Sequence, residues 1–128
     1  MRILVVEDDY ATRHALRQIL EQEGFAVDVA VDGEKAIGAL AQHRYDAVIL
    51  DIALPKLSGT DVLEYIACTT PELLRSIVVV TGLDIEEVRK LFPTIPETLS
   101  KPVFPARLLA SLRRCLGTPG TGSGISIA

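Results

Sequence analysis

Hydrophobic and polar residues alternate along the chain in two rhythms, and the rhythms take turns. Ile3 to Val6 is a short continuous apolar run rich in β-branched residues, which predicts a strand buried on both faces; three acids follow it, Glu7, Asp8 and Asp9. From Ala11 the period lengthens, and Ala11, Ala15, Leu16, Ile19 and Leu20 make one helical stripe that stops before Gly24, a natural residue just past a helix end. Asp8 or Asp9 could cap this helix. Ala26 to Ala30 alternates around Asp28 as a half-exposed edge strand does, and Asp32-Gly33 turns into a helix with Ala36, Ile37, Leu40 and Ala41 on one face.

Ala47 to Leu50 is the next buried strand, and it ends in Asp51, with Pro55 soon after to stop any continuation. A carboxylate in that position is either a turn cap or a group in the crevice where open α/β sheets bind ligands. Ser58 and Asp61 have capping-box spacing ahead of Val62, Leu63, Ile66 and Ala67, and Pro71 ends that helical region. Ile77 to Val80 is a third continuous apolar strand, closed by Thr81-Gly82. Asp84 with Glu87 then opens a helix carrying Val88, Leu91 and Phe92, which Pro93 and Pro96 terminate. The least marked strand, Thr98 to Ser100, leads into Lys101-Pro102. Leu108, Leu109, Leu112 and Leu116 mark a last helix, with Arg113 and Arg114 in its final turn complementing the dipole. Five strand-then-helix alternations imply a mostly parallel sheet with helices on both faces, all strand carboxyl ends lying along one edge.

The remaining composition narrows the classes. The 128 residues, nearly half of them apolar, suit one domain with one real core. Residues 1–117 read as that domain; residues 118–128, rich in Gly, Ser and Thr, read as a flexible tail or the start of a linker. Seventeen acidic against thirteen basic residues give a formal charge of −4, so direct nucleic-acid binding is not expected. No apolar run has the length of a membrane span, and Met1-Arg2-Ile3 enters a strand pattern rather than a signal peptide, which points to a cytoplasmic protein. Cys68 and Cys115 have no ligand spacing and read as free thiols; His14 and His43 read as solvated surface residues.

The common edge collects Glu7, Asp8, Asp51, Thr81 and Lys101. Each has a plain alternative: caps for the acids, a turn for Thr81, a surface charge for Lys101. Five polar groups at one rim nevertheless exceed what capping requires. Two carboxylates about 4 Å apart repel by about 4 kcal/mol at an effective dielectric near 20, so such a site takes up a proton or a cation. All-oxygen donors suit Mg²⁺, and a cation, an ammonium and a hydroxyl around one remaining carboxylate suit phosphoryl transfer, with Asp51 as the nucleophile.

With these residues in place, the chain from Met1 to about Gly117 resembles a bacterial two-component response-regulator receiver domain, similar to the chemotaxis regulator. The resemblance rests on Val5-Val6-Glu7-Asp8-Asp9, on Leu50-Asp51 with Pro55 and Gly59 at the family's offsets, on Thr81-Gly82 and on Lys101-Pro102. It implies a flavodoxin-like (βα)5 three-layer α/β sandwich with sheet order 2-1-3-4-5. It further implies a signalling domain, not an enzyme beyond its own phosphotransfer and dephosphorylation. Asp51 would accept a phosphoryl group from a histidine kinase or phosphotransfer protein, and a downstream effector would read the change. Mg²⁺ would be held by Asp8, Asp51 and the Ala53 backbone carbonyl, with Glu7 acting through water. Thr81 and Lys101 would each bond a phosphoryl oxygen, and the Lys101-Pro102 bond would be cis. The resemblance gives no nucleic-acid or membrane contact of this domain and leaves a homodimer open.

The chain also departs from the family. Thr98 stands where an aromatic residue usually reports the phosphorylated state. The Thr81 to Lys101 interval is slightly short, and Pro93 and Pro96 replace the usual small-residue turn. Ala53 and Leu83 are apolar where polar groups often orient water, so the acyl phosphate lifetime is expected to depend on access. Two rival readings remain: a non-phosphorylated pseudo-receiver, which usually lacks part of the acid and lysine set, and a haloacid-dehalogenase-type phosphatase, which needs a general acid where Ala53 stands.

Overall fold

The computed structural model describes residues 1–52 and 59–116. Five strands, β1 (Arg2–Val6), β2 (Ala26–Ala30), β3 (Ala47–Leu50), β4 (Ile77–Thr81) and β5 (Glu97–Ser100), form one parallel sheet in the order β2-β1-β3-β4-β5. The helices α1 (Tyr10–Gln22), α2 (Gly33–Gln42), α3 (Gly59–Thr69), α4 (Ile85–Leu91) and α5 (Pro105–Leu116) alternate with the strands. This is the flavodoxin-like arrangement expected from the sequence.

The continuous apolar runs are buried on both faces because alternate residues of a strand point to opposite sides. Leu4, Val6, Val48, Leu50, Ile77 and Val79 pack with Ala36, Val62, Ile66 and Val88 of α2, α3 and α4. Ile3, Val5, Ala47, Ile49, Val78 and Val80 pack with Leu16, Leu20, Leu108 and Leu112 of α1 and α5. A fully buried leucine in either layer contributes roughly 2 kcal/mol or more from removal of apolar surface.

Local signals set the helix ends. Asp9 caps α1, its carboxylate accepting from the Thr12 N–H at 2.9 Å. Asp32 caps α2 through Lys35 N–H at 2.7 Å, and Asp84 caps α4 through Glu86 N–H at 2.9 Å. Gly24 follows α1 with φ +90°, a conformation that glycine adopts without a Cβ penalty. The Ser58 cap expected for α3, Pro55 and the tail from Gly117 lie outside the described residues.

Some details differ from the sequence expectation. Ala11, Ala15, Ala41, Ala67 and Leu91 are exposed, so the buried stripes of their helices are narrower than the periodicity suggested. Past α3, the segment Pro71–Ser76 forms a 3-10 helix that buries Leu73, where only a helix end was expected. Proline at its first position fits that tight turn, because the missing N–H is one the helix start would leave unpaired.

Candidate functional site at the carboxyl edge

Strand register brings the site together. Val6 lies opposite Leu50, so the next residues, Glu7 and Asp51, leave β1 and β3 side by side at the point where the strand order reverses. Pairing continues one step beyond the strands: Glu7 N–H donates to Ala30 O and Asp51 N–H to Val6 O, each at 3.0 Å. On the other side Thr81 lies opposite Ser100, and the Lys101 N–H donates to Thr81 O at 2.9 Å. The Lys101-Pro102 peptide is cis.

Glu7 is buried to 1% exposure and Asp51 to 5%, whereas Asp8 is exposed. The three can each offer a carboxylate oxygen within 4.8 Å of the others. Lys101 Nζ lies 2.9 Å from Asp51 Oδ2 and 2.7 Å from Glu7 Oε1. The ammonium thus pairs with both carboxylates at charge-assisted hydrogen-bond distance. The other Glu7 oxygen, Oε2, accepts from the Asp9 N–H at 3.2 Å.

Burial pushes the Glu7 carboxyl above its usual range and the Asp51 charge adds to this, while Lys101 and the Asp9 N–H pull the other way without cancelling it. For Lys101 burial alone would lower the ammonium, but Glu7 and Asp51 hold it above its ordinary value. The site therefore keeps a charged lysine between two carboxylates, one of which resists ionisation. Three carboxylates that can each bring an oxygen within 4.8 Å of the others, Asp8 among them exposed, form an all-oxygen donor set that fits a hard divalent cation such as Mg²⁺.

Thr81 is fully buried, and its Oγ1 accepts from the Leu83 N–H at 3.1 Å, which orients the hydroxyl at the end of β4. Glu7, Asp8, Asp51, Thr81 and Lys101 thus all sit at or just past the carboxyl ends of β1, β3, β4 and β5. Ala53 lies outside the described residues. Thr98 is buried opposite Val79 and, with Arg89, Ser100 and Arg107, lines an open groove of about 420 Å³ beside α4 and α5. Leu83 is half exposed.

The sequence reading missed Arg13. From α1 its Nη1 donates to Glu7 O at 3.1 Å and to Asp8 O at 3.2 Å. A cation near a helix N-terminus, where the macrodipole favours acids, was the available signal. Away from the rim, Cys68 and Cys115 are free, and burial pushes the Cys115 thiol up to about 11.

Fold and rim define a doubly wound α/β domain with an acid and lysine site at its switch edge. The chain matches the response regulator receiver domain over residues 3–113 and belongs to that family. It is 39% identical to the response regulator MprA of Mycolicibacterium vanbaalenii, an alignment covering 100% of this chain and 56% of that protein. With MprA of Mycobacterium avium the identity is also 39%, over 91% of this chain and 51% of the relative. The chain spans about half the length of the curated relatives it matches.

Among solved structures, a CheY-like receiver domain protein from Methanospirillum hungatei superposes with a TM-score of 0.82 at 30% identity, over 95% of this chain and 98% of that one. The response regulator TrrA of Thermotoga maritima, in complex with Mg²⁺-BeF, gives 0.80 at 30% identity, over 90% and 98%. The receiver domain of the sensor histidine kinase PA1611 of Pseudomonas aeruginosa, with magnesium coordinated in its active site cleft, gives 0.81 at 28%, over 91% and 97%. Among the described residues no helix is long and apolar enough to cross a membrane.

Proposed function

We propose that this receiver domain accepts a phosphoryl group on Asp51 from the phosphohistidine of a histidine kinase or phosphotransfer protein, and that a downstream effector reads the result. The observation that carries the proposal is the Lys101 ammonium held between Asp51 and Glu7 at 2.9 and 2.7 Å. An Asp51 oxygen forms the new O–P bond as the N–P bond breaks, and the departing imidazole keeps the electron pair. Lys101, released from Asp51 by the loss of carboxylate charge, pairs with one phosphoryl oxygen. The Thr81 hydroxyl donates to another.

Asp8 and Asp51 would hold Mg²⁺ with the Ala53 carbonyl, and Glu7 would act through water. The bound ion supplies positive charge against that developing on the phosphoryl oxygens. The magnesium in the structures of TrrA and of PA1611 supports this assignment by likeness. Full occupancy of the acid, threonine and lysine positions favours this reading over a pseudo-receiver.

The test is intact-mass measurement after incubation with Mg²⁺ and a small-molecule phosphodonor. Wild type should gain one phosphoryl group and Asp51→Asn none. If wild type gains none, and beryllofluoride changes no spectrum, the chain is an interaction module that works without phosphorylation.

A further inference from the structure

We propose that Arg13 is a positioning residue for the metal-binding acids, holding the backbone that carries Glu7 and Asp8 from one turn inside α1. This deepens the function proposed above and rests on it. The carbonyls of the three consecutive acids all turn toward Arg13. Its guanidinium Nη1 takes Glu7 O at 3.1 Å and Asp8 O at 3.2 Å, and its backbone N–H takes Asp9 O at 2.9 Å. The last is the first ordinary bond of the helix, which any residue but proline would make. The other two need a long donor that reaches back toward the helix start, the direction in which helical side chains lean.

Side chains of consecutive extended residues point to opposite sides, yet Glu7 and Asp8 both bring a carboxylate oxygen to one site. The chain must therefore leave the extended form between them, and the carbonyls freed from the sheet need new donors. Arg13 supplies them. The guanidinium is itself steadied: its centre lies 5.5 Å from the centroid of the Tyr10 ring, which stacks on His14 at 5.7 Å with a 10° interplanar angle.

The position also carries an electrostatic cost that points to a use. The Asp9 cap complements the dipole at the start of α1, and Arg13 adds a cation close behind it, where the dipole disfavours one. That cation stands beside acids that attract a divalent ion, so its field alone opposes the ion. Positioning and field thus predict opposite signs when Arg13 is removed.

The experiment is calorimetric titration of Mg²⁺ into the unphosphorylated chain, at low and at high salt. Wild type, Arg13→Met, Arg13→Lys and Arg17→Ala are compared, with Asp8→Asn as the ligand control and circular dichroism to verify folding. Arg17 lies on α1 in an exposed ion pair with Glu21, so its removal deletes the same charge without touching the loop. Arg13→Met should weaken Mg²⁺ roughly tenfold, the low end of the losses seen when support for metal ligands is removed, and should do so at both salt concentrations. Arg13→Lys, which keeps a donor, should recover most of the affinity, and Arg17→Ala should bind as well as wild type.

Unchanged or tighter binding by Arg13→Met, with Asp8→Asn still abolishing it, overturns the positioning role and leaves the phosphoacceptor reading standing. Equal weakening by Arg13→Met and Arg13→Lys also overturns it. Absence of Mg²⁺ binding by wild type overturns both.

Discussion

The Lys101 N–H donates to the Thr81 carbonyl at 2.9 Å, so the two residues assigned to the phosphoryl oxygens share a backbone hydrogen bond at the ends of β4 and β5. Replacing either side chain leaves that link intact. Lys101→Met should therefore fold, keep its β5 pairing, and lose about a hundredfold or more in the rate of phosphoryl uptake, the scale for removing one preorganised charge-stabilising donor. Time courses with a small phosphodonor measure this, and a rate within threefold of wild type (about 0.7 kcal/mol) would sink the role given to Lys101.

Glu7 makes stability depend on pH in a stated direction. Its carboxyl titrates above the ordinary value of 4.5 in the folded chain, so between the unfolded and folded values the native state holds more protons. Without metal, this group therefore lowers stability as pH rises through that window, and its contribution becomes flat above it. Glu7→Gln should remove that slope. Urea unfolding across the window tests it, and parallel curves for the two proteins would count against a raised Glu7.

Gly59 begins α3 against the end of β3. A Cβ there would overlap Ile52 Cα and lie 3.1 Å from Asp51 O, and neither backbone atom can rotate away. Gly59→Ala should cost about 2 kcal/mol in unfolding free energy, as overpacking does, and should slow phosphoryl uptake by shifting Asp51. A variant as stable and as fast as wild type contradicts this close approach.

Tyr45 lies at the opposite edge, where its hydroxyl donates to Asp28 Oδ2 at 2.7 Å. Tyr45→Phe should lose about 1 kcal/mol of stability while taking up phosphoryl groups at the wild-type rate. Changed uptake would show that the two edges are coupled.

How much of this was legible depended on whether the signal was local. The three central strands are plain in the chain, because Ile3 to Val6, Ala47 to Leu50 and Ile77 to Val80 are continuous apolar runs that a parallel sheet buries on both faces. The rim followed from them, since a polar residue just past such a run has one place to go. Thr98 to Ser100 carries little strand signal of its own; β5 exists through its pairing with Val78 to Thr81. The exposed Ala11, Ala15, Ala41 and Ala67 show the converse, because alanine suits any helix face and its period is weak evidence of burial.

Contacts made by long side chains across elements were not legible. Arg13 reads as one more surface cation until its carbonyl partners are seen, and Ser111, fully buried, is tied through Arg114 to Glu97 on the neighbouring strand. The Arg114 guanidinium holds the Glu97 carboxyl below its usual range, a link between β5 and α5 that sequence spacing does not reveal.

The sheet order has a mechanical consequence. Glu7 and Asp51 directly follow β1 and β3, interior strands each braced by a neighbour on both sides, whereas Lys101 follows β5, a four-residue border strand braced on one side alone. The acids have a stiff mount and the ammonium a compliant one. On the phosphoacceptor reading proposed above, a change of charge between them should displace the compliant side, the margin formed by β5 and α5, before it displaces the acids.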